Sequence, residues 1–295
     1  MEMKKVGVVG CGLMGRGIAE VSVRAGYDVV VSEVNRQLLD QGLAAINTSL
    51  PTAVRREKAT EADKTAALAR ITGTLKLEDF EDCDLVIEAA TENLELKKKV
   101  FADLDKICPE HVILATNTSC LSVIDMAAVT QRQDKVLGMH FFNPVPVMRL
   151  LELVKTIATS GETLNAAGAF GQSVGKRVVT APDIPGFIVN RLLMPFLLEA
   201  VRLLESGMAT KEDIDQAIAL GLNHPMGPLK LSDFVGLDTA YFICNAMYEE
   251  LKDPRFAPPV LLRKMVAAGQ FGRKSRKGFY DYGTSPDNLG GVSKS

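Results

Sequence analysis

Two regimes of hydrophobic patterning run along this chain, and they meet at Ala181-Pro182-Asp183-Ile184-Pro185-Gly186. Before that segment, short apolar runs alternate with amphipathic stretches. Val6–Val9, Tyr27–Ser32, Asp84–Glu88, Val112–Thr116, Val136–Phe141, Leu150–Val154 and Arg177–Thr180 read as strands. Leu13–Arg24, Arg36–Ser49 and Leu94–Lys106 read as helices, the first closed by Gly26 as a C-terminal cap. Strands alternating with helices imply parallel crossovers, so this part predicts a doubly wound, mostly parallel sheet of the α/β class. Beyond the segment the apolar residues keep helical spacing, with helices expected near 187–205, 211–220, 228–236, 238–251 and 258–268. The expected layout is a sheet domain over 1–183, an all-helical C-terminal domain over 184–284, and a Gly/Ser-rich flexible tail over 285–295.

Gly10-Cys11-Gly12-Leu13-Met14-Gly15 lies between the first strand and the first helix, the context in which such a loop binds a dinucleotide. Gly10 suits the tight turn, Gly12 lets the backbone approach a pyrophosphate, and Gly15 lets the helix pack closely on the sheet. The helix N-terminus adds unpaired N–H groups and a positive dipole end. The sheet domain is therefore expected to be Rossmann-type. Glu33, at the end of the second strand, is placed to accept ribose hydroxyls and to repel a 2′-phosphate, which favours NAD. Arg36 close by leaves NADP open, since a guanidinium there would receive that phosphate.

His140 is one of three histidines and falls at the carboxyl end of a predicted strand, where open α/β sheets place their ligand crevices. Asn143-Pro144-Val145-Pro146 reads as a rigid turn that returns the chain as the strand carrying Glu152. Glu152 is an acid inside the apolar run Leu150-Leu151-Glu152-Leu153-Val154, and burying it without a partner would be costly. An imidazole is a suitable partner, because a carboxylate fixes its tautomer and stabilises the imidazolium. Histidine is also the side chain that moves protons near neutral pH. Thr116-Asn117-Thr118-Ser119 is a second polar cluster at a strand end, and Asn190 stands near the start of an apolar helix. Turn chemistry explains the first and an interdomain or capping amide the second; hydrogen bonding to a substrate oxygen is the alternative for both.

Composition narrows the class. The 295 residues carry a formal net charge of -2, which argues against wholesale nucleic-acid binding. No apolar run approaches the ~20 residues of a membrane span, and no secretory pattern precedes the first strand. The 5 cysteines are scattered without a C-x-x-C pair, as expected of a reduced, cytoplasmic chain. His111, His140 and His224 have no metal-ligand spacing.

From Gly10 to Tyr282 the chain resembles the short-chain L-3-hydroxyacyl-CoA dehydrogenases, most of all their stand-alone bacterial 3-hydroxybutyryl-CoA branch. The likeness rests on Gly10–Gly15, Glu92-Asn93-Leu94, Asn117-Thr118-Ser119, His140-Phe141-Phe142-Asn143-Pro144-Val145-Pro146-Val147-Met148, Gly186-Phe187-Ile188-Val189-Asn190-Arg191 and Lys277-Gly278-Phe279-Tyr280. It implies His140 as the catalytic base, Glu152 as its orienting partner, and Ser119 and Asn190 as the groups holding the substrate oxygen. It implies NAD as cofactor, bound by the glycine loop, with Glu92 and Lys97 nearby and Asn117, Ser119 and Asn143 close to the ring and substrate. Glu33 stands where the family more usually has aspartate. Acetoacetyl-CoA and 3-hydroxybutyryl-CoA are the implied substrates, with Ser49 and the basic Arg55, Arg56 and Lys58 near the CoA phosphates. The helical domain is implied to form a homodimer. Two other readings compete: a dehydrogenase of free β-hydroxy acids, which would depend on a lysine in the second domain, and a non-catalytic NAD-binding protein.

Overall fold

A computed structural model gives the fold over residues 3–55 and 61–283. Eight strands form one sheet: β1 Lys5–Val9, β2 Asp28–Ser32, β3 Ile71–Thr74, β4 Leu85–Glu88, β5 Ile113–Thr116, β6 Val136–Phe141, β7 Leu150–Lys155 and β8 Arg177–Pro182. Their order is β3-β2-β1-β4-β5-β6-β7-β8. Every neighbouring pair is parallel except β6 with β7, which the 143–146 turn makes antiparallel. The order reverses direction between β1 and β4, and such a switch point opens a crevice at the strands' carboxyl ends.

Strand side chains alternate between two cores, one on each face. Leu85 and Ile87 of β4 join Val8, Val31 and Met139 on one face, while Val86 joins Val30, Phe80 and Leu114 on the other. Burial on both faces explains why these strands read as continuous apolar runs. The flanking helices are α1 Leu13–Arg24, α2 Arg36–Arg55, α3 Glu61–Ala69, α4 Leu94–Ile107, α5 Val123–Ala127 and α6 Gly161–Ser173.

Four of these elements, β3, α3, the five-residue α5 and α6, were not legible. α2 runs past Ser49 to Arg55, and α3 with the four-residue β3 follows it. α6 contains Gly161, Gly168 and Gly171, which weaken its helical signal. Gly171 is nonetheless required there, because a Cβ would lie 2.7 Å from both Leu151 and Val178.

The chain divides into two compact units, Met1–Phe187 and Ile188–Ser295. The connecting segment stays with the first unit because the Asp183 carboxylate accepts the backbone N–H groups of Val123 and Ile124 at 3.0 and 2.7 Å. The second unit comprises α7 Val189–Glu205, α8 Lys211–Gly221, α9 Pro228–Val235, α10 Leu237–Leu251 and α11 Val260–Ala267. All five helices lie within three residues of their predicted bounds. Its Lys277–Tyr280 block is tied down by buried carboxylates. Asp233 accepts the backbone N–H groups of Phe279 and Tyr280 at 3.0 Å each, and Asp215 accepts the Tyr280 hydroxyl at 2.8 Å. A Cβ on Gly278 would collide with Asp233, which explains the glycine in that block. No helix among the described residues is long and apolar enough to cross a membrane. The expected tail, 285–295, lies outside the described residues.

Candidate active site

The glycine loop has a separate reason for each glycine. Gly10 sits at φ +97°, and a Cβ there would press on the Ala89 carbonyl at 2.9 Å. Gly15 meets the Gly10 carbonyl so closely that a Cβ would overlap it at 1.8 Å. Gly12 is the N-cap of α1, and a Cβ on it would meet nothing within 4 Å. Open space above Gly12, faced by the first-turn N–H groups of Leu13, Met14 and Gly15, fits a pyrophosphate. Glu33 stands beside this loop, accepting the Cys11 N–H at 2.7 Å through Oε1 and the Val34 N–H at 3.0 Å through Oε2. Two backbone donors leave its outer lone pairs for ribose hydroxyls. Arg36 is engaged on its own helix, 3.9 Å from Asp40, in an exposed contact of little energetic weight.

At the ends of β4 and β5 a buried ionic network takes shape, and its centre, Glu88, was missed from the sequence. Lys97 of α4 is 1% exposed, and its ammonium bonds both Glu88 oxygens at 2.7 and 2.8 Å. Thr116 Oγ1 and the Ala90 N–H also donate to Glu88, each at 2.7 Å. On its other side Lys97 lies 3.2 Å from Glu92 Oε2. Glu92 Oε1 in turn accepts Thr118 Oγ1 at 2.6 Å, the Ser119 N–H at 2.8 Å and Ser119 Oγ at 3.3 Å. Lys97 is thus a buried cation that sets Glu92, and Glu92 sets the turn bearing Ser119. Asn117 fastens the next strand, its Oδ1 accepting the Phe141 N–H at 2.9 Å. The neighbouring Cys120 is no nucleophile, since burial pushes its thiol up to about 12.

His140 and Glu152 are directly opposed across the antiparallel β6–β7 pair. His140 Nδ1 lies 2.7 Å from Glu152 Oε2, with the residues 6% and 0% exposed. A carboxylate can only accept this bond, so Nδ1 carries the hydrogen, and in the neutral ring the lone pair lies on Nε2. The rings of Phe142 and Phe187 flank the imidazole with centroids 4.5 and 5.5 Å away. The loop joining the two strands, with a cis Asn143–Pro144 bond, is held from beneath by buried Lys176. Its ammonium donates to the carbonyls of Val145 and Met148, and burial pushes its pKa down from the usual lysine value.

That loop also walls a cavity of about 530 Å³ with α1 and α2, lined in part by Arg16, Glu20, Ser49 and Asn143. The first unit therefore brings Ser49 and Asn143 to one cavity, and Glu92, Ser119 and Asn117 to one strand-end cluster. Asn190 lies on the first turn of α7 in the second unit and is buried. Arg56 and Lys58 lie outside the described residues. No group of three or more His, Cys, Asp or Glu side chains could hold a metal among the described residues.

Residues 5–184 match the NAD-binding domain of 3-hydroxyacyl-CoA dehydrogenase, and residues 186–282 match its C-terminal domain. The chain is 49% identical over 282 residues to the 3-hydroxybutyryl-CoA dehydrogenase of Mycobacterium tuberculosis, covering 95% of this chain and 99% of that one. It is 45% identical over 287 residues to the mitochondrial hydroxyacyl-coenzyme A dehydrogenase of Sus scrofa, covering 95% and 91%. The crystal structure of (S)-3-hydroxybutyryl-CoA dehydrogenase from Ralstonia eutropha superposes with a TM-score of 0.93 at 46% identity, covering 96% and 100%. With both domains matched in order, and a glycine loop shaped for a dinucleotide, the chain belongs to the 3-hydroxyacyl-CoA dehydrogenase family of NAD-dependent oxidoreductases.

Proposed function

We propose that this enzyme interconverts 3-hydroxybutyryl-CoA and acetoacetyl-CoA, with His140 and Glu152 moving the hydroxyl proton. The observation that carries this reading is the buried 2.7 Å contact between His140 Nδ1 and Glu152, at the carboxyl end of β6. NAD, when bound, supplies the site that accepts or returns the hydride of C3. Its pyrophosphate is assigned to Gly10, Gly12, Leu13, Met14 and Gly15, and its ribose hydroxyls to Glu33. Glu92, Lys97, Asn117, Ser119 and Asn143 are assigned to the nicotinamide side.

In oxidation, His140 Nε2 removes the proton of the C3 hydroxyl; in reduction the imidazolium returns a proton to the developing alkoxide. Glu152 stabilises the imidazolium and keeps the ring oriented. Ser119 and Asn190 hold the oxygen on which charge develops, where fixed hydrogen bonds contribute most. Ser119 and Asn190 enter through the motifs in which they stand. Ser49 and Arg56 are assigned to the CoA moiety on the same ground.

The test is the loss of NADH absorbance on adding acetoacetyl-CoA, with NADPH and free acetoacetate as controls. Fast oxidation of NADH by the thioester, slow oxidation of NADPH and none with the free acid are expected. Turnover of acetoacetate in place of its thioester would sink the substrate assignment, and a preference for NADPH would sink the role of Glu33. The second unit is assigned the contact of a homodimer, supported by exposed Leu192, Leu220, Leu222 and Phe242. Light scattering should give twice the chain mass; a monomer would refute the assignment.

A further inference from the structure

Phe187 closes the first unit, and its backbone takes a conformation that an aromatic residue rarely adopts. Its φ is +47°, in the left-handed region, directly after Gly186 at φ +81°. Glycine reaches such a φ freely, whereas a bulky side chain is strained there. The turn is held by the Phe187 N–H, which donates to the Ile184 carbonyl at 2.9 Å. Asp183, bonded to the start of α5, fixes the other end of the same turn. This strained backbone delivers the phenyl ring to the core that contains Val123 and Val154, where the residue is 4% exposed. His140 and Glu152 stand on that face of the sheet too, since their strand neighbours Met139, Phe141, Leu151 and Leu153 belong to the opposite core. The Phe187 ring ends 5.5 Å from the imidazole, centroid to centroid, with the two planes tilted by 60°.

We propose that Phe187 is a positioning residue for the proton-moving pair: it fixes the plane of the His140 imidazole and keeps water from its bond to Glu152. The inference deepens the reading above and rests on it for the role of His140. One hydrogen bond does not fix a histidine ring, because the torsion about its Cβ–Cγ bond is broad. Left to itself the imidazole would rock about its 2.7 Å contact with Glu152, swinging Nε2 away from a substrate hydroxyl. Phe142, 4.5 Å away by centroid, limits that motion from the strand end, and Phe187 limits it from the connecting segment. Excluding water also strengthens the bond itself, since the local dielectric is then low.

The experiment compares Phe187→Leu with Phe170→Leu in the full chain. Phe170 is the matched control: it is 1% exposed in the same unit, but its ring faces Tyr27 at 5.3 Å. Both variants lose a buried ring, so similar drops in stability are expected. Only Phe187→Leu should lower kcat, by about 10–10²-fold, because a misaligned proton acceptor is costly even where binding is intact. KM for acetoacetyl-CoA should stay near wild type in both. A second readout is the Nδ1 proton of His140, followed by NMR in protein carrying isotope-labelled histidine. The chain has 3 histidines, so His140→Gln assigns the signal. Exchange of this proton with water should be fast in Phe187→Leu and slow in wild type and Phe170→Leu.

A kcat in Phe187→Leu within a few-fold of Phe170→Leu overturns the proposal. So does a loss of kcat with unchanged proton exchange, which would place the effect away from His140. Should Phe187→Leu fail to fold, Phe187→Met fills the same space with a more adaptable side chain and carries the same comparison. The reading on which the proposal rests fails separately. A His140→Gln variant with near-wild-type kcat removes His140 as the base. A full-rate Phe187→Leu beside a slow His140→Gln removes only the positioning role.

Discussion

Replacing His140 with glutamine should lower kcat by about 10²–10⁴-fold, the range that general acid–base catalysis contributes. Glutamine suits the test because of Glu152, which is 0% exposed and accepts one bond from Nδ1. A buried carboxylate that loses a donor would destabilise the sheet and confuse folding with chemistry. The glutamine amide donates in place of the imidazole, so the carboxylate keeps a partner while the site loses its proton acceptor. NADH affinity should stay near wild type, since the glycine loop lies at the other side of the switch point, on β1. Steady-state kinetics at saturating acetoacetyl-CoA and NADH decide the matter. If kcat stays within a few-fold of wild type, His140 is not the group that moves the proton.

The same residue shows how far a sequence reaches. An acid in the run Leu150–Val154 had to have a partner, and the proline turn before it named the strand from which the partner came. Identical logic applied to Leu85-Val86-Ile87-Glu88 would have flagged Glu88, but its cation could not be chosen. Lys97, Lys98 and Lys99 are consecutive, and α4 alone decides which turns inward: their side chains are 1%, 31% and 75% exposed. Lys176 was equally hidden, because the carbonyls it holds lie 31 and 28 residues earlier. Local patterning reports on burial and on turns. It does not report which distant charge fills a buried gap. β3 and α6 fail for a different reason, since glycines within them erase the apolar period.

Lys97→Met should cost about 3–5 kcal/mol of stability, the usual penalty for removing one partner of a buried ion pair. The substitution leaves the Glu88 carboxyl 0% exposed and without its cation. It also frees Glu92 from the contact at 3.2 Å that faces it toward Ser119. Denaturant unfolding of the cofactor-free chain measures the loss. The double variant Glu88→Gln/Lys97→Met separates charge from packing. Its glutamine oxygen still accepts from Thr116 or the Ala90 N–H, and no unpaired charge remains at position 88, so most of the lost stability should return. Catalysis should not return with it, because Glu92 still lacks the ammonium that orients it. A single variant that loses under about 1 kcal/mol would place Lys97 among the screened surface pairs. A double variant no more stable than the single would show that packing around the lysine stem, and not its charge, holds β4, β5 and α4 together.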